Sequence, residues 1–263
     1  MPECEPTLTS LAFDRAASFY DDTRALPADI SGRVTQAILD LAPPGQPILE
    51  CGVGTGRIAA PVLMRGAPLI GIDLSIEMMQ RLRAKVQRAP LAQADISRLP
   101  FPDATFGAIL TVHVLHLVGP WREALREFKR VLRPGGAYLN SHNFRRPDSP
   151  NARLRERWHN LVEARGYSWR RPGAQNHEQV VDELRSMGAH VEEVFVGSWT
   201  QTVTPQQELE SIASRVHSDT WDVPDDVLAG TAAELRAWAI TEYRDLSVPV
   251  PIERRFSFDV TRF

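Results

Sequence analysis

The sequence has little of several things on which whole classes of protein depend. Only two of its 263 residues are cysteines, Cys4 and Cys51. A disulfide framework and a cysteine-built zinc site are therefore excluded, and no metal site is expected. No apolar run approaches the roughly 20 residues needed to cross a bilayer. Residues 1–5 are acidic and lack the basic start and apolar stretch of a signal peptide. These absences predict a cytoplasmic protein without a membrane span.

Lysine is scarce as well, and the charge is unevenly spread. The chain has two lysines against 28 arginines and a formal net charge of −3, which has the wrong sign for a general nucleic-acid binder. Residues 145–171 hold eight arginines, three acids and three large aromatic side chains, whereas residues 176–263 hold 16 acidic and seven basic groups. The basic segment is a solvated helix face, a cap for an anionic or aromatic ligand, or an RNA-binding patch.

The rest of the composition is that of an ordinary globular protein, with 43 % apolar and 24 % charged residues. Apolar runs typical of strands alternate with helical patterns in the first half of the chain, which predicts a parallel α/β sheet. Residues 255–263 alternate apolar and polar side chains and predict a closing antiparallel strand. We expect a single domain, with a core at about 30–144, 178–204 and 247–263 and helical cap segments at 1–29, 145–177 and 205–246.

Local patterns predict the individual elements. The predicted strands are 47–50, 69–73, 91–94, 108–114, a strand that starts at 137–139, 191–203 and 255–263. The predicted helices are 58–64, 75–86, 121–131, 152–165, 178–187 and 205–246 with a break at 219–226, preceded by an N-terminal helix that bears Phe13, Phe19, Tyr20 and Arg24. Ser75 is predicted as an N-cap, and Thr204 with Gln207 has the pattern of a helix start.

A glycine-rich turn, residues 50–56 (Glu-Cys-Gly-Val-Gly-Thr-Gly), follows the first predicted strand. Glycines there let the chain bend sharply and let a ligand approach the main chain. The spacing is one residue shorter than the dinucleotide fingerprint, and Glu50 would repel a phosphate. The turn is therefore a plain tight turn or a cradle for a cationic or amine-bearing ligand, and NAD is disfavoured.

Three acids stand at the ends of three successive predicted strands: Glu50, Asp73 and Asp95. A carboxylate at Asp73 is placed to accept hydrogen bonds from ribose hydroxyls, although it could instead cap the next helix. Asp95 could receive an adenine amino group or be a plain loop residue. Together the three acids describe a pocket for a nucleoside without phosphates.

With these motifs the chain resembles the class I S-adenosylmethionine-dependent methyltransferases, of the small-molecule type related to the quinone-biosynthesis methyltransferases. The resemblance is close over about residues 30–143 and looser elsewhere. It implies a Rossmann-like, seven-stranded, mostly parallel sheet whose last strand is antiparallel, with helices on both faces and helical cap insertions. It also implies S-adenosylmethionine as cofactor and S-adenosylhomocysteine as product. The motifs that carry it are residues 48–56, 71–75, 93–95, 99–103 and 130–136.

The resemblance assigns one group of residues to the amino-acid end of the cofactor. Glu50, Gly52 and Gly54 would hold the methionine part. Thr111, near the end of the fourth strand, would offer its carbonyl oxygen to the cofactor ammonium.

A second group belongs to the nucleoside by the same resemblance. Asp73 would bind the ribose and Leu74 would flank the adenine. Asp95 would meet the adenine amino group, with the backbone of Ile96 beside it. A tyrosine and an arginine on the N-terminal helix would touch the bound ligand. The full predicted cofactor-binding set is Tyr20, Arg24, Glu50, Gly52, Gly54, Thr55, Asp73, Leu74, Met78, Asp95, Ile96 and Thr111.

Methyl transfer from a sulfonium is an in-line displacement, in which the protein mainly positions the acceptor and excludes water. A general base is needed only where the acceptor must lose a proton. His113 and His116 follow the fourth predicted strand and are the predicted catalytic residues, and His116 matches a histidine common in the family. His142, after the fifth strand, is a further candidate. The alternative for each is a histidine hydrogen-bonded to backbone beneath the pocket.

The sequence thus predicts an S-adenosylmethionine-dependent methyltransferase that acts on O, N or C of a small, anionic or aromatic acceptor. One alternative is an RNA-directed methyltransferase that uses the arginines of 145–171. Another is a non-catalytic nucleoside-binding module, because methyl transfer requires no obligatory catalytic residue. The oligomeric state stays open.

Overall fold

The computed structural model describes residues 10, 13–17, 19–141 and 146–263. The strands are β1 (Ile48–Cys51), β2 (Leu69–Asp73), β3 (Leu91–Gln93), β4 (Phe106–Val112), β5 (Leu132–Ser141), β6 (His190–Val203) and β7 (Val250–Arg262). The helices are α1 (Tyr20–Arg24), α2 (Ala28–Leu41), α3 (Ala59–Met64), α4 (Ile76–Lys85), α5 (Trp121–Val131), α6 (Pro150–Glu163), α7 (His177–Ser186), α8 (Pro205–Ala213) and α9 (Asp225–Tyr243). None of the helices formed by these residues has both the length and the apolar character to cross a bilayer.

The strands form one seven-stranded sheet in the order β3-β2-β1-β4-β5-β7-β6. Leu49 of β1 lies opposite Ile70 of β2 and Ile109 of β4, in parallel on both sides. Leu139 of β5 pairs with Val260 of β7 in antiparallel fashion. All residues of β1 and β4 are buried, as expected for the centre of a parallel sheet. The predicted mostly parallel sheet with an antiparallel last strand is confirmed.

Several predicted elements have other bounds in the structure. The fifth strand begins at Leu132 rather than at 137–139, because Leu132 already pairs with Phe106 of β4, and β7 begins at Val250 rather than at residue 255. The fourth strand spans Phe106–Val112 rather than 108–114, because the next residue, His113, has a φ of 60° and leaves the extended region. The predicted N-terminal helix is not continuous: α1 begins only at Tyr20, and Phe13 and Phe19 are non-helical residues that precede two separate short elements.

The helix-start predictions are confirmed. The Ser75 hydroxyl accepts the N–H of Met78 at 3.1 Å at the start of α4. Thr204 and Gln207 form a reciprocal capping box at the start of α8. Such side chains satisfy N–H groups that have no partner within the helix.

The chain divides into two compact units. The first comprises residues 1–143, 172–197 and 256–263, and the second comprises 144–171 and 198–255. In the first unit the core includes Leu49, Phe106 and Phe128 on and around the sheet. In the second, helices α6, α8 and α9 enclose a separate core around Trp158 and Leu235. The prediction of a single domain with cap segments stays a prediction.

Candidate functional site

The glycine turn lies at the carboxyl end of β1 and exposes its backbone to a pocket. Gly52 and Gly54 have φ angles of 74° and 53°, which favour glycine. A Cβ at Gly52 would lie 2.5 Å from a methyl group of Val114, and one at Gly54 would lie 3.3 Å from the methyl group of Met78. The N–H groups of Gly52 and Val53 donate to the carbonyl of Ile72 at 2.8 and 2.9 Å. The turn is therefore held against β2, and no side chain larger than glycine fits at Gly52.

Glu50, the first residue of the glycine-rich turn, is the most unusual ionisable group of the site. Its side chain lies in the sheet core and is only 2 % exposed. Burial raises the pKa of Glu50 to about 8, and the Asp73 charge raises it too, against the opposing charge of Arg57. Its Oε2 atom is buried and accepts no hydrogen bond from the described residues. A buried carboxylate oxygen without a donor fits a cationic N–H donor supplied by a ligand.

Asp73 ends β2 and receives two backbone hydrogen bonds. Its Oδ2 accepts the N–H of Gly54 at 2.8 Å, and its Oδ1 accepts the N–H of Ser75 at 2.9 Å. Burial raises the pKa of Asp73, although the backbone hydrogen bonds oppose this effect. Since Ser75 is the N-cap of α4, Asp73 is not needed for that role. Each carboxylate oxygen keeps a second lone pair for a ligand hydroxyl.

Two pockets open at this edge of the sheet in the first unit. Including the space that is open to solvent, the smaller pocket has a volume of about 250 Å³ and the larger about 660 Å³. The smaller is lined by Tyr20, Glu50, Gly52, Val53, Gly54, Thr55, Arg57, Ile58 and Val112. The larger is lined by Ser10, Phe13, Tyr20, Gly52, Gly54, Asp73, Leu74, Met78, Ala94, Asp95, Ile96, Val112, His113, Val114, Leu117 and Val118. The predicted acids are thus brought together, with Glu50 in the smaller pocket and Asp73 and Asp95 in the larger.

Asp95 and Ile96 follow β3 on the far side of the larger pocket. The Asp95 side chain is exposed, and its Oδ1 accepts both the backbone N–H and the hydroxyl of Ser97 at 2.8 Å. These two hydrogen bonds form an Asx-type turn that fixes the position of the Asp95 carboxylate. The side chain of Ile96 is buried. The turn therefore presents a polar and an apolar group side by side in the pocket.

Three predicted site residues line neither pocket: Arg24, Thr111 and His116. The Thr111 hydroxyl donates to Asn140 Oδ1 at 2.9 Å and lies 2.7 Å from the Tyr138 hydroxyl within the core. The residue that lines both pockets at this strand end is Val112.

The predicted histidines are placed differently from one another. His113 lines the larger pocket, and its backbone N–H donates to the carbonyl of Ser141 at 2.9 Å. Its φ of 60° is uncommon for a residue with a side chain. His116 lies in a short 3₁₀ turn, where its carbonyl accepts the N–H of Gly173. His142 lies outside the described residues.

Sequence reasoning missed several residues of the site. Arg57 lines the smaller pocket, and Val112, Val114, Leu117 and Val118 line the larger. Apolar residues after a buried strand are indistinguishable from core residues in a sequence, so no local signal could have found them. The arginine that follows the glycine motif was a signal available in the sequence.

The arginine-rich segment lies in the second unit, where acids of the C-terminal part neutralise much of it. Among the described residues, arginines of this segment that form ion pairs in that unit include Arg155, which is buried. The pairs are Arg146–Asp148, Arg153–Glu242, Arg155 with Glu208 and Asp219, and Arg165–Glu234.

Comparisons with known proteins agree with the geometry. Residues 49–140 match the methyltransferase domain family. The chain is 35 % identical over 140 residues to a demethylmenaquinone methyltransferase of Clavibacter sepedonicus, covering 50 % of this chain and 56 % of that protein. It is 32 % identical over 130 residues to a malonyl-[acyl-carrier protein] O-methyltransferase of Serratia marcescens, covering 49 % of this chain and 50 % of that protein. The chain therefore spans about half the length of these curated relatives.

Among solved structures, the fold is similar to that of a candidate methyltransferase from Bacillus halodurans C-125. The TM-score is 0.59 at 16 % sequence identity, over 90 % of this chain and 99 % of that one. At this identity the likeness concerns the fold alone. The match extends well beyond residues 49–140, so the sheet and its flanking helices share one architecture with the solved structure.

Proposed function

We infer from the match of residues 49–140 to the methyltransferase domain family that the chain is a class I S-adenosylmethionine-dependent methyltransferase, and we propose that it methylates a small molecule at O, N or C. The observation that carries the proposal is Glu50. A buried carboxyl group with an unpartnered oxygen, beside a bare glycine turn, fits a ligand with an ammonium group and no phosphate.

The residues of the two pockets match the parts of this cofactor. Glu50 would accept the ammonium of the methionine part, and Arg57, in the same smaller pocket, would offer its guanidinium to the carboxylate. In the larger pocket Asp73 would bind the ribose hydroxyls, and Asp95 with Ile96 would meet the adenine.

When bound, S-adenosylmethionine supplies a methyl group already activated on a sulfonium. The chain's own task is to orient the acceptor and to exclude water. His113 is the proposed general base for an acceptor that must lose a proton, because it lines the larger pocket and His116, the other predicted histidine that the structure describes, does not. Its strained backbone supports this role, since such strain persists where the surrounding structure demands it.

The lining of the larger pocket favours a neutral, apolar or aromatic acceptor over an anionic one. The charged side chains among its lining residues are two carboxylates, Asp73 and Asp95. Phe13, Leu117 and Val118 supply apolar surface. The described lining residues include neither lysine nor arginine to pair with an anion, whereas an aromatic ring would find apolar walls.

The alternative functions find less support. The hypothesis of an RNA-directed methyltransferase requires arginines in 145–171 that can contact RNA phosphates. Four of these arginines are paired with acids. A non-catalytic nucleoside-binding module is distinguished by turnover, because only an enzyme converts S-adenosylmethionine to S-adenosylhomocysteine in the presence of an acceptor. A cytoplasmic location stays a prediction.

The test is calorimetric titration with S-adenosylmethionine, S-adenosylhomocysteine and NAD. We expect micromolar binding of the two sulfur nucleosides and none of NAD. Asp73→Asn removes the negative charge of the carboxylate that accepts hydrogen bonds from the ribose hydroxyls. Because hydrogen bonds to charged groups contribute about 1.5–3 kcal/mol, the variant should bind the sulfur nucleosides at least about tenfold more weakly.

The matched control is Asp226→Asn, an exposed aspartate of the second unit, which should leave the affinity unchanged. Binding of NAD in preference to the sulfur nucleosides would refute the proposal. Equal affinity of wild type and Asp73→Asn would remove Asp73 from the site.

A further inference from the structure

A polar cluster joins Thr55 of the glycine turn to two residues outside the predicted site, Asp21 and Lys85, and so connects α1 to the turn. Asp21 Oδ1 accepts the Thr55 hydroxyl at 2.5 Å, and Asp21 Oδ2 lies 2.6 Å from Lys85 Nζ. Lys85 Nζ also donates to the Thr55 carbonyl at 2.9 Å. The three residues close a ring that joins α1, the glycine turn and the last residue of α4.

The ring is anchored on one side and accessible on the other. Thr55 is 1 % exposed, whereas the side chains of Asp21 and Lys85 are 42 % and 36 % exposed. Burial alone would raise the pKa of Asp21, but hydrogen bonds from Lys85 and Thr55 and the neighbouring positive charges lower it. Asp21 is therefore ionised at neutral pH and accepts both hydrogen bonds as a carboxylate.

The position of α1 depends on such tertiary contacts. With five residues it is far too short to be stable alone. A second contact lies at its other end, where Arg57 donates to the carbonyl of Arg24 at 2.9 Å. Tyr20, the first residue of α1 and the neighbour of Asp21, lines both pockets. Whatever fixes Asp21 also fixes Tyr20 at the cofactor site.

We propose that Asp21 is a positioning residue of the cofactor site, which acts through Thr55 and Lys85 to hold Tyr20 against both pockets. The proposal rests on the function proposed above and adds how the site is closed. Asp21 and Lys85 touch neither pocket. Loss of the Asp21–Lys85 pair should therefore leave the residues that line the pockets unchanged and should increase the dissociation rate of the bound nucleoside.

The first experiment compares Asp21→Asn and Lys85→Met with wild type. The affinity for S-adenosylhomocysteine is measured by calorimetry and its dissociation rate by stopped-flow fluorescence. Each variant should bind about fivefold more weakly, through faster dissociation, because a partly exposed ion pair contributes up to about 1 kcal/mol. The double variant should be no weaker than either single one, because both remove the same interaction. Lys85→Arg keeps the charge and should retain near-wild-type affinity.

The chain offers a matched control, because its other lysine, Lys129, donates to the carbonyl of Met187 away from the pocket residues. Lys129→Met should bind like wild type. Because the chain has only two lysines, each can be followed by its own NMR signal. A Lys85 that only stabilised the fold would give a signal that does not change on ligand binding. Protein labelled at lysine ¹³Cε should give two signals, of which the one absent in Lys85→Met shifts on addition of S-adenosylhomocysteine.

The outcomes separate this inference from the proposed function. If wild type binds no S-adenosylhomocysteine, the proposed function fails. If wild type binds and both variants match its affinity and dissociation rate, with no response of the Lys85 signal, the positioning role is overturned while the function stands. If thermal melting shows that Asp21→Asn does not fold, Lys85→Met decides in the same way.

Discussion

Glu50 is buried within the sheet and also lines the smaller pocket. With a pKa of about 8, the Glu50 side chain is mostly protonated and neutral at pH 7 before a ligand arrives. An ammonium group pairs with the ionised form. Binding of such a ligand at neutral pH must therefore expel a proton from Glu50.

The affinity for S-adenosylhomocysteine should accordingly increase with pH. Between pH 7 and 8 the ionised fraction of Glu50 rises about fivefold for a pKa of about 8, and the association constant should follow. Calorimetry in two buffers of different ionisation enthalpy counts the protons released. Glu50→Gln should bind more weakly and with no such pH dependence. Proton release that persists in Glu50→Gln would assign the titration to another group.

The acids of the site could be predicted from the sequence, whereas the groups that tie them together could not. Glu50 and Asp73 stand beside strand ends and a glycine turn, so local pattern places them. Asp21 contacts partners 34 and 64 residues further along the chain. No local pattern connects such positions. Its role becomes visible only when the sheet brings α1, the turn and α4 together.

The regular elements followed from local pattern where one periodicity dominates. Helix α5 spans Trp121–Val131 as predicted, because its apolar residues recur at helical spacing. The end of β4 could not be predicted, since the backbone of His113 turns away although the apolar run continues into Val114. Strand β7 begins at Val250 rather than at residue 255. Its first residues lack the clear alternation that marks Phe256–Val260.

The start of helix α8, which the sequence predicts from Thr204 and Gln207, can be tested by substitution. The Thr204 hydroxyl accepts the N–H of Gln207 at 3.1 Å, and the Gln207 side chain accepts the N–H of Thr204 at 2.8 Å. Thr204→Ala should lower the free energy of unfolding by about 1 kcal/mol, measured by urea denaturation followed by circular dichroism.

The neighbouring Thr202 is an exposed residue of β6 and provides the control. Thr202→Ala should lower the free energy of unfolding clearly less than Thr204→Ala does. In a double-mutant cycle, Thr204→Ala and Gln207→Ala should be less than additive, because the two hydrogen bonds form one box. Full additivity would contradict a reciprocal cap.

The charge of the whole chain has a structural explanation. The excess of arginine at 145–171 and the excess of acid at 176–263 meet within the second unit. Arg155 is the most deeply buried member of these pairs. Its Nη1 donates to both carboxylate oxygens of Asp219 at 2.7 and 2.8 Å, and its Nε donates to Glu208 at 2.9 Å. Part of the positive charge of residues 145–171 is therefore paired with acids within the second unit, where it helps to hold the helices together.

Arg155→Met tests how far the second unit depends on this buried charge. Both side chains of the Arg155–Asp219 pair are 4 % exposed. Removal of Arg155 takes away the main counter-charge of the buried Asp219 carboxylate, which keeps the His159 contact at 2.9 Å and the charge of Arg171. That should cost about 3–5 kcal/mol of unfolding free energy. Arg153→Met, on the same helix, breaks the more exposed pair with Glu242 and should cost less than about 1 kcal/mol. The free energy of unfolding of both variants is measured by urea denaturation. If Arg155→Met lowers it no more than Arg153→Met does, apolar packing around Trp158, rather than the charge network, stabilises the second unit.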